Sequence, residues 1–122
     1  MTRLFTGLAL AIMIGGAAVS AQMKHVTLKD AKGADVGMAM ISPAKGGGVS
    51  IDLDLHGLPP GEHALHFHAA AKCEGPDFTS ATGHFNPAMK KHGMENPDGP
   101  HAGDMSNFTV DAKGMGKATI VN

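Results

Sequence analysis

The strongest constraint on how this chain folds is a stretch that has no hydrophobic rhythm. From Ala70 to Gly103 neither a period of two nor one of 3.6 persists, and glycine and proline recur throughout. A structureless loop of about 30 residues inside a compact domain is usually functional or else disordered. This one, with its flanks, carries His66, His68, His84, His92, His101 and Asp104 within 39 residues. Metal ligation would supply the order that hydrogen-bond ladders do not. Imidazole suits zinc, copper, iron and nickel, and several imidazoles with one carboxylate argue against calcium or magnesium, which prefer all-oxygen shells.

Around this stretch the pattern is that of short strands. Val49 to Leu55 alternates, with Ile51, Leu53 and Leu55 on one face and Asp52 and Asp54 on the other, as a half-buried antiparallel strand requires. Earlier strands are expected at His25 to Asp30 and Val36 to Ile41, joined by hairpins. Gly57-Leu58-Pro59-Pro60-Gly61 forces a turn, after which Ala64 to Ala69 reads as another strand, and Asn107 to Val110 and Lys117 to Val121 read as two more. No repeat and no long amphipathic helix is evident.

Residues 1 to 21 read as a secretory signal: Thr2 and Arg3 open it, Leu8 to Ala18 is apolar, and Val19-Ser20-Ala21 offers small residues for cleavage. The apolar run is shorter than the roughly 20 residues that span a bilayer, so a soluble exported protein, periplasmic or secreted, is expected from Gln22 onward. That leaves 101 residues, one domain with limited capacity to bury a core. Tryptophan and tyrosine are absent, while 17 glycines and 7 prolines indicate a turn-rich chain. Arg3 is the only arginine, so nine lysines face eleven acids from Gln22 onward and no basic patch for nucleic acid exists. Cys73 is the only cysteine, which in an exported domain means a free thiol, an intermolecular bridge or a missing partner.

On a strand, His66 and His68 point to one face while Leu65 and Phe67 point into the core, so the two imidazoles can meet one ion. His84, His92 and His101 are loop positions flanked by glycine or proline, and Asp104 follows three residues after the last. Three imidazoles and a carboxylate, His84, His92, His101 and Asp104, make a complete tetrahedral shell that zinc accepts, and a closed shell suggests a structural ion. His66 and His68 are left for a second ion that needs another ligand. His84 can serve both if each ring nitrogen binds a different metal.

These residues resemble copper/zinc superoxide dismutase of the exported bacterial type. The similarity runs from about Gly57 to Asn107, through GLPPGEHALHFH, Cys73, GHFNP, KHG and GPHAGDM, and fits the flanking strands more loosely. The resemblance implies an all-β fold, a Greek-key β-sandwich or barrel with a long metal-binding loop, over residues 22 to 122. It also implies copper on His66, His68 and His84, zinc on His84, His92, His101 and Asp104, and superoxide as substrate. His84 is then the catalytic residue, bridging the metals and taking a proton during the cycle.

The departures concern what the family carries further along: a fourth copper histidine, an arginine that guides the anion, a second cysteine that bridges to the counterpart of Cys73, and closing strands. Such a bridge contributes about 2 to 4 kcal/mol. The domain is therefore expected to be incomplete at the C-terminus, a fragment of a longer enzyme. The alternative is a non-enzymatic periplasmic protein that binds zinc and copper; a third reading is a β-sandwich whose zinc only orders a loop. A homodimer is among the expected assemblies. His25, His56 and His63 read as surface or turn residues, Asp52 and Asp54 as a solvated face, and Met38, Met40, Met89, Met94 and Met105 as packing or surface positions without the clustering of a thioether site.

Overall fold

The computed structural model describes residues 22–122, so the secretory signal expected at residues 1 to 21 lies outside the described part. Six strands and a single 3-10 turn make it nearly all β. Strands β1 (Lys24–Lys29), β2 (Asp35–Pro43) and β3 (Val49–Leu55) form an antiparallel meander. The chain then leaves this sheet through β4 (Gly61–His63), the long loop with its 3-10 turn at Thr79–Ala81, and β5 (Phe108–Val110). It returns as β6 (Gly116–Val121) beside β3, giving a four-stranded sheet of order β1-β2-β3-β6 faced by the two-stranded sheet β4-β5. This long return connection places the loop between two paired strands, fixed at both ends.

Alternation dictates which side is packed. Ile51, Leu53 and Leu55 of β3 are buried with Ala39, Met105, Phe108, Val110 and Ile120, and this cluster fills the space between the sheets. At about 25 cal/mol per Å² of apolar surface removed from water, such side chains supply most of the driving force for folding. Asp52 and Asp54 stand on the opposite face, where Thr119 donates its hydroxyl to Asp52 and Lys117 lies 3.4 Å from Asp54.

Two turns are built from one tetrapeptide. Asp30-Ala31-Lys32-Gly33 joins β1 to β2 and Asp111-Ala112-Lys113-Gly114 joins β5 to β6. In each, the aspartate Oδ1 accepts two backbone N–H bonds, from Lys32 and Ala34 at 2.8 and 2.9 Å and from Lys113 and Met115 at 2.8 and 2.9 Å. The glycines sit at φ of 82° and 80°, a region that other residues enter at a cost.

The strand expected over Ala64 to Ala69 is not one. The regular pairing stops at His63, and the following residues make only isolated bridges, His66 with Asp104 and His68 with His84. The segment is extended as its alternation requires, and Leu65 and Phe67 do pack against the core. Its hydrogen-bonding partners, however, are the loop residues Gly83, Phe85 and Gly103, so no ladder runs along it. Strand β4 is not expected from the sequence, where Gly61 reads as the end of a turn; the other five strands fall within two residues of their expected ends.

Candidate metal centre

Three segments far apart in sequence meet at a closed set of backbone hydrogen bonds. Phe67 N–H donates to Gly103 O at 2.9 Å, Gly103 N–H to Phe85 O at 2.8 Å, and Phe85 N–H to Phe67 O at 2.8 Å. Each member adjoins a candidate ligand: His66 and His68 flank Phe67, His84 precedes Phe85, and Asp104 follows Gly103. Gly103 is buried, and a Cβ there would collide with the Phe67 carbonyl oxygen and crowd Phe85 N at 3.1 Å. Only glycine lets the three segments of this triangle approach so closely.

Asp104 sits at the centre, with its side chain only 2% exposed. Its Oδ2 accepts the backbone N–H of Gly93 at 2.9 Å and of His101 at 3.0 Å. Its Oδ1 faces three ring nitrogens, Nδ1 of His84 at 2.9 Å, of His92 at 3.1 Å and of His101 at 3.5 Å. Burial by itself raises the pKa of this carboxyl. The Gly93 and His101 amides, the His84 ring and the charge of His92 outweigh that and hold it well below the usual carboxylate range.

Four donor atoms thus converge, three Nδ1 and one Oδ1. Zinc bonds of about 2.0–2.2 Å place tetrahedral ligands roughly 3.3–3.6 Å apart, and Asp104 Oδ1 lies 2.9, 3.1 and 3.5 Å from the three Nδ1 atoms, at or just inside that spacing. His84 Nδ1 and His101 Nδ1 also face each other at 3.3 Å. Two imidazole nitrogens so close cannot both present protons, and a cation between them uses both lone pairs. The donor set and its spacing therefore fit zinc.

The second set is gathered differently. The rings of His66 and His68 flank His84 at centroid distances of 4.0 and 5.1 Å. His68 Nδ1 donates to the Thr82 carbonyl at 2.9 Å, which orients the ring and leaves Nε2 available to a metal. His66 lies nearly parallel to His84, with 20° between their planes. In-plane lone pairs of stacked rings run side by side, so this pair is adjacent to one another without converging on one point. Burial first, and then the neighbouring His84, lower the pKa of His66 and keep it neutral. One donor atom each of His66, His84, His92 and Asp104 lie within 4.8 Å of one another, which puts His66 on the rim of the same cluster. His101 is the better fourth member, because its nitrogen closes on both His84 and Asp104.

Residues 35–122 match the family model of copper/zinc superoxide dismutase. The chain belongs to this family. A copper-zinc superoxide dismutase of Aquifex aeolicus is 46% identical over 99 residues, covering 80% of this chain and 58% of that protein. A second one from the same organism is 42% identical over 124 residues, covering 100% of this chain and 72% of its own length. The crystal structure of a superoxide dismutase-like protein from Bacillus subtilis superposes with a TM-score of 0.76 at 38% identity, over 80% of this chain and 65% of that one. The chain thus spans little more than half the length of the first Aquifex relative.

In this member of the copper/zinc superoxide dismutase family, the structure brings together all six residues singled out from sequence. His25, His56 and His63 lie elsewhere: His25 is on the outer face of β1, His56 is 4.0 Å from Asp35, and His63 donates to the Pro59 carbonyl at 2.7 Å and stacks on Phe108. Sequence reasoning missed the supporting atoms, namely the Gly93 and His101 amides, the Thr82 carbonyl and the contact surface of Gly103. A glycine directly after His92 and another directly before Asp104 were the available signals. Cys73 is exposed with a free thiol, beside His66 and His68 in an open groove also lined by Phe78.

Proposed function

We propose that this chain carries the metal centre of a superoxide dismutase that is exported from the cell. The reading is supported above all by the converged donor set of His84, His92, His101 and Asp104 beside the ring pair of His66 and His68. Zinc would be held by His84, His92, His101 and Asp104, and copper by His66, His68 and His84. Copper held there would supply one-electron redox chemistry suited to converting superoxide to dioxygen and peroxide.

The chain's own groups set the geometry for this. His84 directs Nδ1 toward Asp104, which leaves Nε2 to bind metal or hold a proton. Asp104, anchored by two amides, keeps the His84 ring from turning as that proton comes and goes. The Thr82 carbonyl does the same for His68.

A second reading, a non-enzymatic periplasmic protein that binds zinc and copper, is favoured by one observation. Among the described residues the copper set comprises three imidazoles, two of them stacked in place of converging. The two readings separate on metal content and superoxide dismutation of the chain supplied with both metals. Both metals bound with dismutation supports the enzyme; zinc without copper and no dismutation overturns it. A His84→Ala variant that retained both metals at full affinity would overturn the bridging role.

A further inference from the structure

We propose that His25, Met38 and Met40 form a cuprous-ion site on the outer face of the four-stranded sheet. Strand register brings them together. His25 on β1 stands directly opposite Met40 on β2, and Met38, two residues earlier, projects to the same face. His25 Nδ1 and Met38 Sδ are 3.4 Å apart. A nitrogen and a sulfur on one ion, with bonds of about 2.0 and 2.3 Å, lie roughly 3.5–3.8 Å from each other. The two donors lie just inside that spacing, so a small side-chain shift admits a shared metal, and Met40 lines the same groove.

This site is separate from the histidine centre, which lies on the inner side of the sheet, where His66 borders the apolar residues Ala39 and Ile51. The fold does not require methionine at Met38, whose residue is 45% exposed. Two neutral, soft thioethers and an imidazole select Cu(I) over zinc, calcium or magnesium. The hard oxygens nearby are otherwise engaged, Asp52 by the Thr119 hydroxyl and Asp54 by Lys117. Their charge still favours a cation in the groove. Three neutral ligands on an exposed face make a site that takes up cuprous ion from solution and releases it readily.

Sulfur ligation distinguishes this site from the histidine centre, which has no sulfur donor. The exposed thiol of Cys73 would confuse that signature, so every variant carries Cys73→Ser. The full chain is saturated with zinc, given two equivalents of Cu(I) without oxygen, and examined by X-ray absorption. Sulfur scatterers about 2.3 Å from copper are expected, with loss of that shell and of one bound copper when Met38→Leu and Met40→Leu are added. Absence of sulfur in the Cys73→Ser chain, or its survival in the chain with both leucines, overturns the site. Leucine matches methionine in volume, and at these positions should leave folding intact. His25→Gln should weaken Cu(I) binding at least tenfold in competition with bicinchoninate; unchanged affinity overturns the part given to His25.

Discussion

Asp104 organises its surroundings through both carboxylate oxygens, one fixed by amides and the other offered to three imidazoles. Asp104→Asn keeps the size but removes the charge, so zinc affinity should fall on the order of 100-fold or more, as read by competition with a chelating dye. The same substitution tests the pKa. A carboxyl held below its ordinary value of about 3.9 contributes stability that is present above that pH and is lost as pH falls through the native value. In chelator-treated samples, the urea stability difference between the chain and Asp104→Asn should therefore be full at pH 5 to 7 and shrink progressively below about pH 4. A difference that grew in acid would contradict the assignment. One residue earlier, Gly103→Ala pushes a methyl group into the Phe67 carbonyl, and should destabilise by about 1–3 kcal/mol in urea while also weakening zinc.

Elements were legible where one side of the chain is wet and the other dry. Val49 to Leu55 reads directly from its alternation because β3 lies between β2 and β6 with one face on the core, and its observed bounds are the expected ones. Leu53 sits in the middle of that face at 4% exposure, so Leu53→Ala should lower the urea unfolding free energy by about 2–5 kcal/mol. The segment Ala64 to Ala69 has the same alternation but no strand to pair with, and alternation reports which side is buried, not who supplies the hydrogen bonds. The repeated Asp-Ala-Lys-Gly turns were open to sequence reading, since an aspartate three residues before a glycine has a known local geometry. The candidate ligands were legible from residue type and spacing. Their convergence was not, because it depends on a backbone triangle joining residues that no local pattern relates. The grouping of His25 with Met38 and Met40 was hidden for the same reason, as register, not spacing, assembles it.

At the scale of the whole molecule, a long irregular loop is held at its two ends by paired strands and in its middle by the hydrogen-bonded cluster around Asp104. An ion that binds only the folded chain stabilises it by about 2.7 kcal/mol when free metal is at 100 times its dissociation constant. Zinc should accordingly raise the thermal midpoint and protect residues 70–103 from proteolysis, and a chelator should reverse both; a loop cut equally fast with and without zinc would contradict this. The triangle of Phe67, Phe85 and Gly103 adds a kinetic consequence. Each member's amide proton is covered by a carbonyl of another member, so displacing any one segment breaks two of the three bonds at once. The three should therefore trade hydrogen for deuterium at one common rate, set by a joint opening, and zinc should slow all three by the same factor.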